Sequence, residues 1–178
     1  MANGQIKLTE KKIAGMAARG CGRGTGSSYL PWIEVASISS LGRSRRVWSP
    51  KTTRTHHLLS DVEYGLFLVL EWSADVVDIR EQFPLDRDIT QDVARLAGFR
   101  HPFYPGIDVP TVMTVDFMVT RVRDGHHVQE ALNTKRSEEA EDERSLIKLE
   151  IQRRSLALLE VPHHLVFHDD LPRQKVKN

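Results

Sequence analysis

From Ser60 the chain carries apolar residues at helical spacing. Val62, Leu66, Phe67, Val69 and Leu70 form one stripe, and the Ser60-Asp-Val-Glu63 box ahead of them predicts a capped helix ending near Trp72. The rhythm then shortens. Val76 to Phe83 reads as a strand stopped by Pro84, Asp88 to Ala97 as a short helix, and His101 to Pro110 as a proline-rich loop. Val112 to Val122 and His127 to Thr134 are predicted strands joined by a tight turn at Arg123-Asp124-Gly125. Ser137 is expected to cap a long helix to about Leu159, and Val161 to His168 reads as a last buried strand. The order predicts an α/β fold: a central mixed β-sheet flanked by helices, with an antiparallel hairpin in its middle.

The front of the chain is less regular. Thr9 should cap a short basic helix to about Arg19, and GCGRGTGSS reads as a mobile connector. Its glycines, at 20, 22, 24 and 26, fit neither a phosphate loop nor a dinucleotide fingerprint. Trp32 to Ile38 is a candidate strand, and Arg45–Ser49 with Arg54–Leu58 a hairpin around Pro50-Lys51-Thr52-Thr53. Three regions follow: a basic amino-terminal arm and hairpin over 1–59, a core over 60–170, and a tail over 171–178.

With 178 residues the chain suits one core, and no apolar run approaches a membrane span or signal peptide. The lone Cys21 rules out an internal disulfide framework and a thiolate metal cluster, so a reducing cytoplasm is expected. Net charge is only +1, but residues 1–57 hold ten Lys/Arg against Glu10 and Glu34. That front is +8 and the remainder −7, the footprint of a polyanion binder or of a solvated charged arm. Arg43, Arg45, Arg46, Lys51 and Arg54 are the candidate DNA contacts, with His56 a further candidate for a phosphate.

Candidate chemistry centres on Glu63, Asp116 and Lys135. An acid on a helix, a second in mid-strand and a lysine ending the next strand suit a Mg²⁺-dependent nuclease of the restriction-endonuclease type. Two carboxylates can hold a hard cation that acts as Lewis acid, water activator and template. Asn133-Thr134-Lys135 lacks the acid usual two positions before the lysine, and Glu63 could supply that charge. The Thr134 carbonyl could complete the coordination. A turn at Asp124-Gly125 would bring Lys135 close to Asp116, where an ammonium can orient water or offset phosphate charge. Each residue also has a plain structural reading: Glu63 as helix cap, Asp116 as the partner of an arginine, Lys135 as a solvated cation.

Other chemistries find less support. The pairs His56-His57, His126-His127 and His163-His164 lack the i, i+4 spacing of a zinc hydrolase, and no GxSxG elbow occurs. Trp32 and Trp48 could stack on bases, although packing in the core is the expectation for both.

A resemblance sharpens this reading. Gly42-Arg-Ser-Arg-Arg-Val-Trp-Ser-Pro-Lys-Thr, His56-His-Leu-Leu-Ser-Asp-Val-Glu63, Val77-Asp-Ile-Arg-Glu-Gln-Phe-Pro-Leu85, Thr114-Val-Asp-Phe117 and Asp142-Glu-Arg-Ser-Leu-Ile-Lys-Leu-Glu150 resemble the TnsA family of transposon endonuclease subunits. The likeness runs in order over about residues 5–170. It implies a restriction-endonuclease-like domain that cuts the 5′ ends of a bacterial transposon. A DDE-type transposase would act on the 3′ ends, with a AAA+ ATPase regulating both. Carried over by position, Glu63 and Asp116 would bind metal and Lys135 would be the active-site lysine. Asn133 would stand where the family often has Gln or a small polar residue. Better-known members continue into a helical, winged-helix-like region, so this chain is expected to be a compact variant or a truncated core. Two alternatives stay open: a non-catalytic DNA-binding subunit that activates the transposase, and a stand-alone restriction-type nuclease.

Overall fold

The computed structural model describes residues 7–35, 44–136 and 142–171. Helix α1 (Glu10–Ala18) is followed by the hairpin strands β1 (Arg45–Ser49) and β2 (Arg54–Leu58), then α2 (Asp61–Glu71), β3 (Val76–Pro84) and α3 (Arg87–Leu96). The chain continues through β4 (Thr114–Arg123), β5 (His126–Lys135), α4 (Glu143–Ala157) and β6 (His163–Phe167). Strands β3, β4, β5 and β6 form one sheet in that order. The first three run antiparallel and β6 pairs parallel to β5 through the α4 crossover, so the sheet is mixed as expected.

Apolar side chains of the two sheet faces account for the layers. Val62, Leu66, Phe67 and Leu70 of α2 pack with Leu58, Val76, Ile79, Phe117, Val119 and Leu132. A second cluster sets Leu156 of α4 against Val115, Met118 and Ala131, and Ile151 packs with Val93 and Ala94 of α3. Helices thus cover the sheet on both sides, with the β4–β5 hairpin at its centre. Its turn falls where expected, at Asp124 (φ 50°) and Gly125 (φ 78°), the paired left-handed geometry of a tight hairpin turn.

The amino-terminal residues depart from expectation. Thr9 caps α1 as anticipated, its Oγ1 accepting from Lys12 N at 3.4 Å. No strand forms over residues 32–35; residues 36–38 of the expected strand lie outside the described segments. Trp32 instead donates its backbone N–H to the Gln82 carbonyl at 3.2 Å and buries its ring with Leu8, Ile13, Cys21, Tyr104 and Val112. The glycine-rich segment is seated on β3 rather than acting as a loose connector. Gly26 N donates to Asp78 Oδ1 at 3.1 Å, and Tyr29 Oη to the Glu81 carbonyl at 3.0 Å. At Gly22 a Cβ would sit 2.2 Å from Pro84 Cγ, so only glycine allows that approach. Helix α4 begins at Glu143 with Asp142 as its cap; the expected cap Ser137 lies outside the described residues.

Candidate active site

Glu63 is positioned by the way α2 begins. Ser60 has extended backbone (φ −146°, ψ 163°), and its Oγ accepts from Glu63 N at 3.1 Å. The same hydroxyl donates to Glu63 Oε1 at 3.0 Å, while Leu59 N donates to Oε2 at 2.9 Å. Glu63 is therefore the helix cap that its sequence position suggested, and its carboxylate is held inward at 6 % exposure. Gln82 of β3 adds a third donor, Nε2 to Oε2 at 3.2 Å.

Asp116 sits between Val115 and Phe117, both fully buried. Both hydrogen bonds it accepts among the described residues fall on Oδ2, from Thr134 N at 2.6 Å and Thr134 Oγ1 at 2.8 Å. Adjacent strands of the central hairpin thus lock this acid through Oδ2. The two acids share one electrostatic environment. Burial pushes Glu63 up to about 8, and the Asp116 charge pushes in the same direction against the donors from Leu59, Ser60 and Gln82. Burial likewise raises Asp116, opposed by the two Thr134 bonds and by the Lys135 charge. Lys135 is half-buried at the end of β5, close enough for its charge to favour the ionised form of Asp116.

The donor set also fits a hard divalent cation. Among the described residues no group of three or more His, Cys, Asp or Glu could hold a metal ion. Mg²⁺ does not need such a cage; one or two carboxylates, water and a substrate phosphate suffice. Glu63, Asp116 and the neighbouring Thr134 carbonyl supply oxygen donors only.

Asn133 faces elsewhere. Its buried amide donates to Gln152 Oε1 at 3.2 Å, and its Oδ1 lies 3.2 Å from His163 Nε2. The side chain is engaged with α4 and β6, which corrects the expectation of a catalytic role for it.

The basic residues divide. Arg46 is exposed on the hairpin, with Trp48 on the same strand at 62 % exposure, so Trp48 does not pack in the core whereas Trp32 does. Arg45 pairs with Asp61 at 2.7 Å and lies 4.3 Å over the Tyr64 ring, half-exposed. Arg43 lies outside the described residues. The other three candidates require correction. Lys51 Nζ donates to the Ser73 and Val76 carbonyls at 2.8 and 2.6 Å, tying the hairpin to the α2–β3 connection. Arg54 is buried, with Nη1 at 2.9 Å from Glu81 Oε1 and Nη2 at 2.8 Å from the Ile79 carbonyl. His56 is fully buried between Thr52 Oγ1 and Glu81 Oε2, each at 2.7 Å, with its ring on Phe67. Arg54 and His56 are walled off from any phosphate because both serve Glu81. Burial alone would raise Glu81, but bonds from Arg54 and His56 hold it down to about 2.

Sequence reasoning passed over Glu81, Gln82 and Gln152. A signal existed for the first two: Asp78-Ile-Arg-Glu-Gln82 places four polar residues in a predicted strand without alternation, and all four are buried.

A mixed sheet flanked by helices, with Asp116 and Lys135 at one end of its central strands and Glu63 on the covering helix, is an arrangement consistent with an endonuclease-like α/β domain. The sequence matches the family described as TnsA-like endonuclease N terminal over residues 73–168, a span that holds Asp116 and Lys135 and begins just after α2. It is also 43 % identical over 162 residues to the Transposon Tn7 transposition protein TnsA of Escherichia coli. That similarity covers 91 % of this chain and 58 % of the relative, so the chain spans a little over half the relative's length. The chain belongs to the TnsA-like endonuclease N-terminal family.

Proposed function

We propose that this chain is the catalytic part of a transposition endonuclease that cuts DNA at the 5′ ends of a transposon with Mg²⁺. The observation that carries the reading is that Gln82, which stands opposite Asp116 in the register of β3 and β4, donates to Glu63 Oε2 at 3.2 Å, while Asp116 is bonded at 2.6 Å by Thr134, the residue before Lys135. A cation held by Glu63 and Asp116 would supply Lewis acidity at the scissile phosphate and lower the pKa of an attacking water. Thr134 fixes Asp116 by two hydrogen bonds, Ser60 and Leu59 fix Glu63, and Lys135 offsets charge that develops on the phosphate. Relatedness to a transposition protein supports transposon DNA as substrate; a DDE-type transposase as partner and a AAA+ ATPase as regulator are part of the proposal. No helix among the described residues is long and apolar enough to cross a membrane.

The test is cleavage of end-labelled transposon DNA by the chain, with and without the partner transposase, in Mg²⁺ and in EDTA. Asp116→Ala and Lys135→Ala should each lose 5′ cutting while the partner's 3′ chemistry persists. For Asp116→Ala the expected fall is about 10³-fold or more, as loss of several kcal/mol of transition-state stabilisation implies. Cutting that survives EDTA, or survives Asp116→Ala at the parent rate, would refute the assignment. Activity of the purified chain without the transposase would point to a stand-alone nuclease instead.

The exposed side of the hairpin, with Arg46 and Trp48, is the proposed DNA grip. Arg46→Ala should weaken binding similarly on all sequences and reduce the salt slope by about 1 in a titration across ionic strength, with the melting temperature unchanged. An unaltered slope would place the duplex on another surface.

A further inference from the structure

Gln82 has φ 47° in the body of β3, a left-handed conformation that glutamine seldom adopts. The register brackets it opposite Asp116, since Glu81 pairs with Phe117 and Phe83 with Val115. At 3 % exposure its carboxamide joins two elements of the site. Nε2 donates to Glu63 Oε2 at 3.2 Å, and Oε1 accepts from Thr114 Oγ1 at 3.4 Å.

The bonding does not stop there. The Thr114 carbonyl accepts from Gln152 Nε2 at 2.8 Å, and Gln152 Oε1 accepts from Asn133 Nδ2 at 3.2 Å. Asn133 Oδ1 lies 3.2 Å from His163 Nε2, which closes the series on β6. A run of polar groups therefore crosses the sheet from β6 to α2. Along it Asn133, Gln152, Thr114 and Gln82 each donate to the next group in the direction of Glu63. Three amides buried in a core are costly unless satisfied, and leucines would fill the same volume. Packing alone explains neither the amides nor the strained backbone, because glycine or asparagine would tolerate that φ better.

We propose that Gln82 is a positioning residue for the acid pair. It holds the Glu63 carboxylate in place beside Asp116, and Gln152 and Asn133 brace it from the opposite face. For its chemistry this inference rests on the nuclease reading above; its geometry is independent of that reading.

Two variants of the full chain test it. Gln82→Leu removes both side-chain hydrogen bonds at similar size. Gln82→Asn suits the left-handed backbone but is one methylene too short to bridge Thr114 and Glu63. Each is examined for melting temperature, for Mn²⁺ binding by calorimetry and for the orientation of Glu63 in a crystal structure. Both should melt close to the parent yet bind Mn²⁺ about 10–100-fold more weakly, the usual range for loss of a group that orients a ligand. In both, the Glu63 carboxylate should turn away from Asp116. A merely structural residue would instead lower melting temperature and leave the affinity of the folded fraction unchanged. A folded variant with parental Mn²⁺ affinity and an unmoved Glu63 overturns the proposal. Should the parent itself bind no Mn²⁺, the nuclease reading fails, and the orientation of Glu63 in the variants then decides this inference by itself.

Discussion

Glu63→Gln should melt higher than the parent chain at pH 8 and, at the same time, fail to cut DNA. Glu63 is an acid whose folded-state pKa is raised, to about 8 from an ordinary 4.5, by burial and by the Asp116 charge. Such a group binds a proton in the fold at pH values where the unfolded chain has released it. Its contribution to stability is complete below about pH 4.5 and is lost as pH rises toward 8. Gln keeps the shape and most of the bonding. Its oxygen can accept from Leu59 N and Gln82 Nε2, and its amide can donate to Ser60 Oγ in place of the present O–H donation. What disappears is the buried charge facing Asp116. A gain on the order of 5 °C at pH 8, shrinking toward pH 4.5, is the expected result of thermal melts across pH, taking about 2–4 °C per kcal/mol. Mg²⁺ should raise the parent's melting temperature at pH 8 and leave that of Glu63→Gln nearly unchanged. A variant that melts lower than the parent at every pH would mean that Glu63 serves only as a cap.

Arg54→Ala should lose about 3–5 kcal/mol of stability, because truncating one member of a buried ion pair strands the other. Arg54 and Glu81 are both nearly sealed from solvent, with side-chain exposures of 8 % and 0 %. His56 and the His57 backbone N–H would remain as donors to the stranded carboxylate, but the guanidinium would be gone. The pH signature has the opposite sign to that of Glu63. Glu81 is depressed to about 2, so its stabilisation is present above the unfolded value near 4.5 and is lost as pH falls toward 2. In Arg54→Ala that acid limb should begin at higher pH. Urea unfolding of Arg54→Ala beside Arg46→Ala makes the comparison direct: the first should be crippled, the second unaffected. Equal stabilities, with weaker DNA binding by Arg54→Ala, would restore Arg54 to the DNA surface.

That contrast shows what the linear sequence concealed. Helix α2, its Ser60 and Glu63 cap and the Asp124-Gly125 turn were legible because each is decided by residues within a few positions. Asp116 stood out because an acid amid apolar strand residues must face something particular, and it does face the Thr134 backbone and hydroxyl. Arg54 and His56 looked like surface cations beside other cations. Their true partner, Glu81, lies more than twenty residues away and meets them only once β2 lies along β3. The glycine-rich segment misled for a related reason. Glycine signals freedom in the chain, whereas at Gly22 it meets a demand for space imposed by distant Pro84. Asn133 was drawn toward the acids by its place in the motif, but strand alternation sends its side chain to Gln152.

The hairpin of β4 and β5 has two ends with different duties. Asp116, Thr134 and Lys135 occupy one, while Arg123 to His127 at the other are all exposed. Eight residue steps along β4 separate Asp116 from Asp124, about 27 Å at the usual strand rise. A fluorophore or affinity tag spliced between Asp124 and Gly125 would ride at that remove from the proposed site, so the protein could be followed on DNA by a reporter that leaves Asp116 and its neighbours alone.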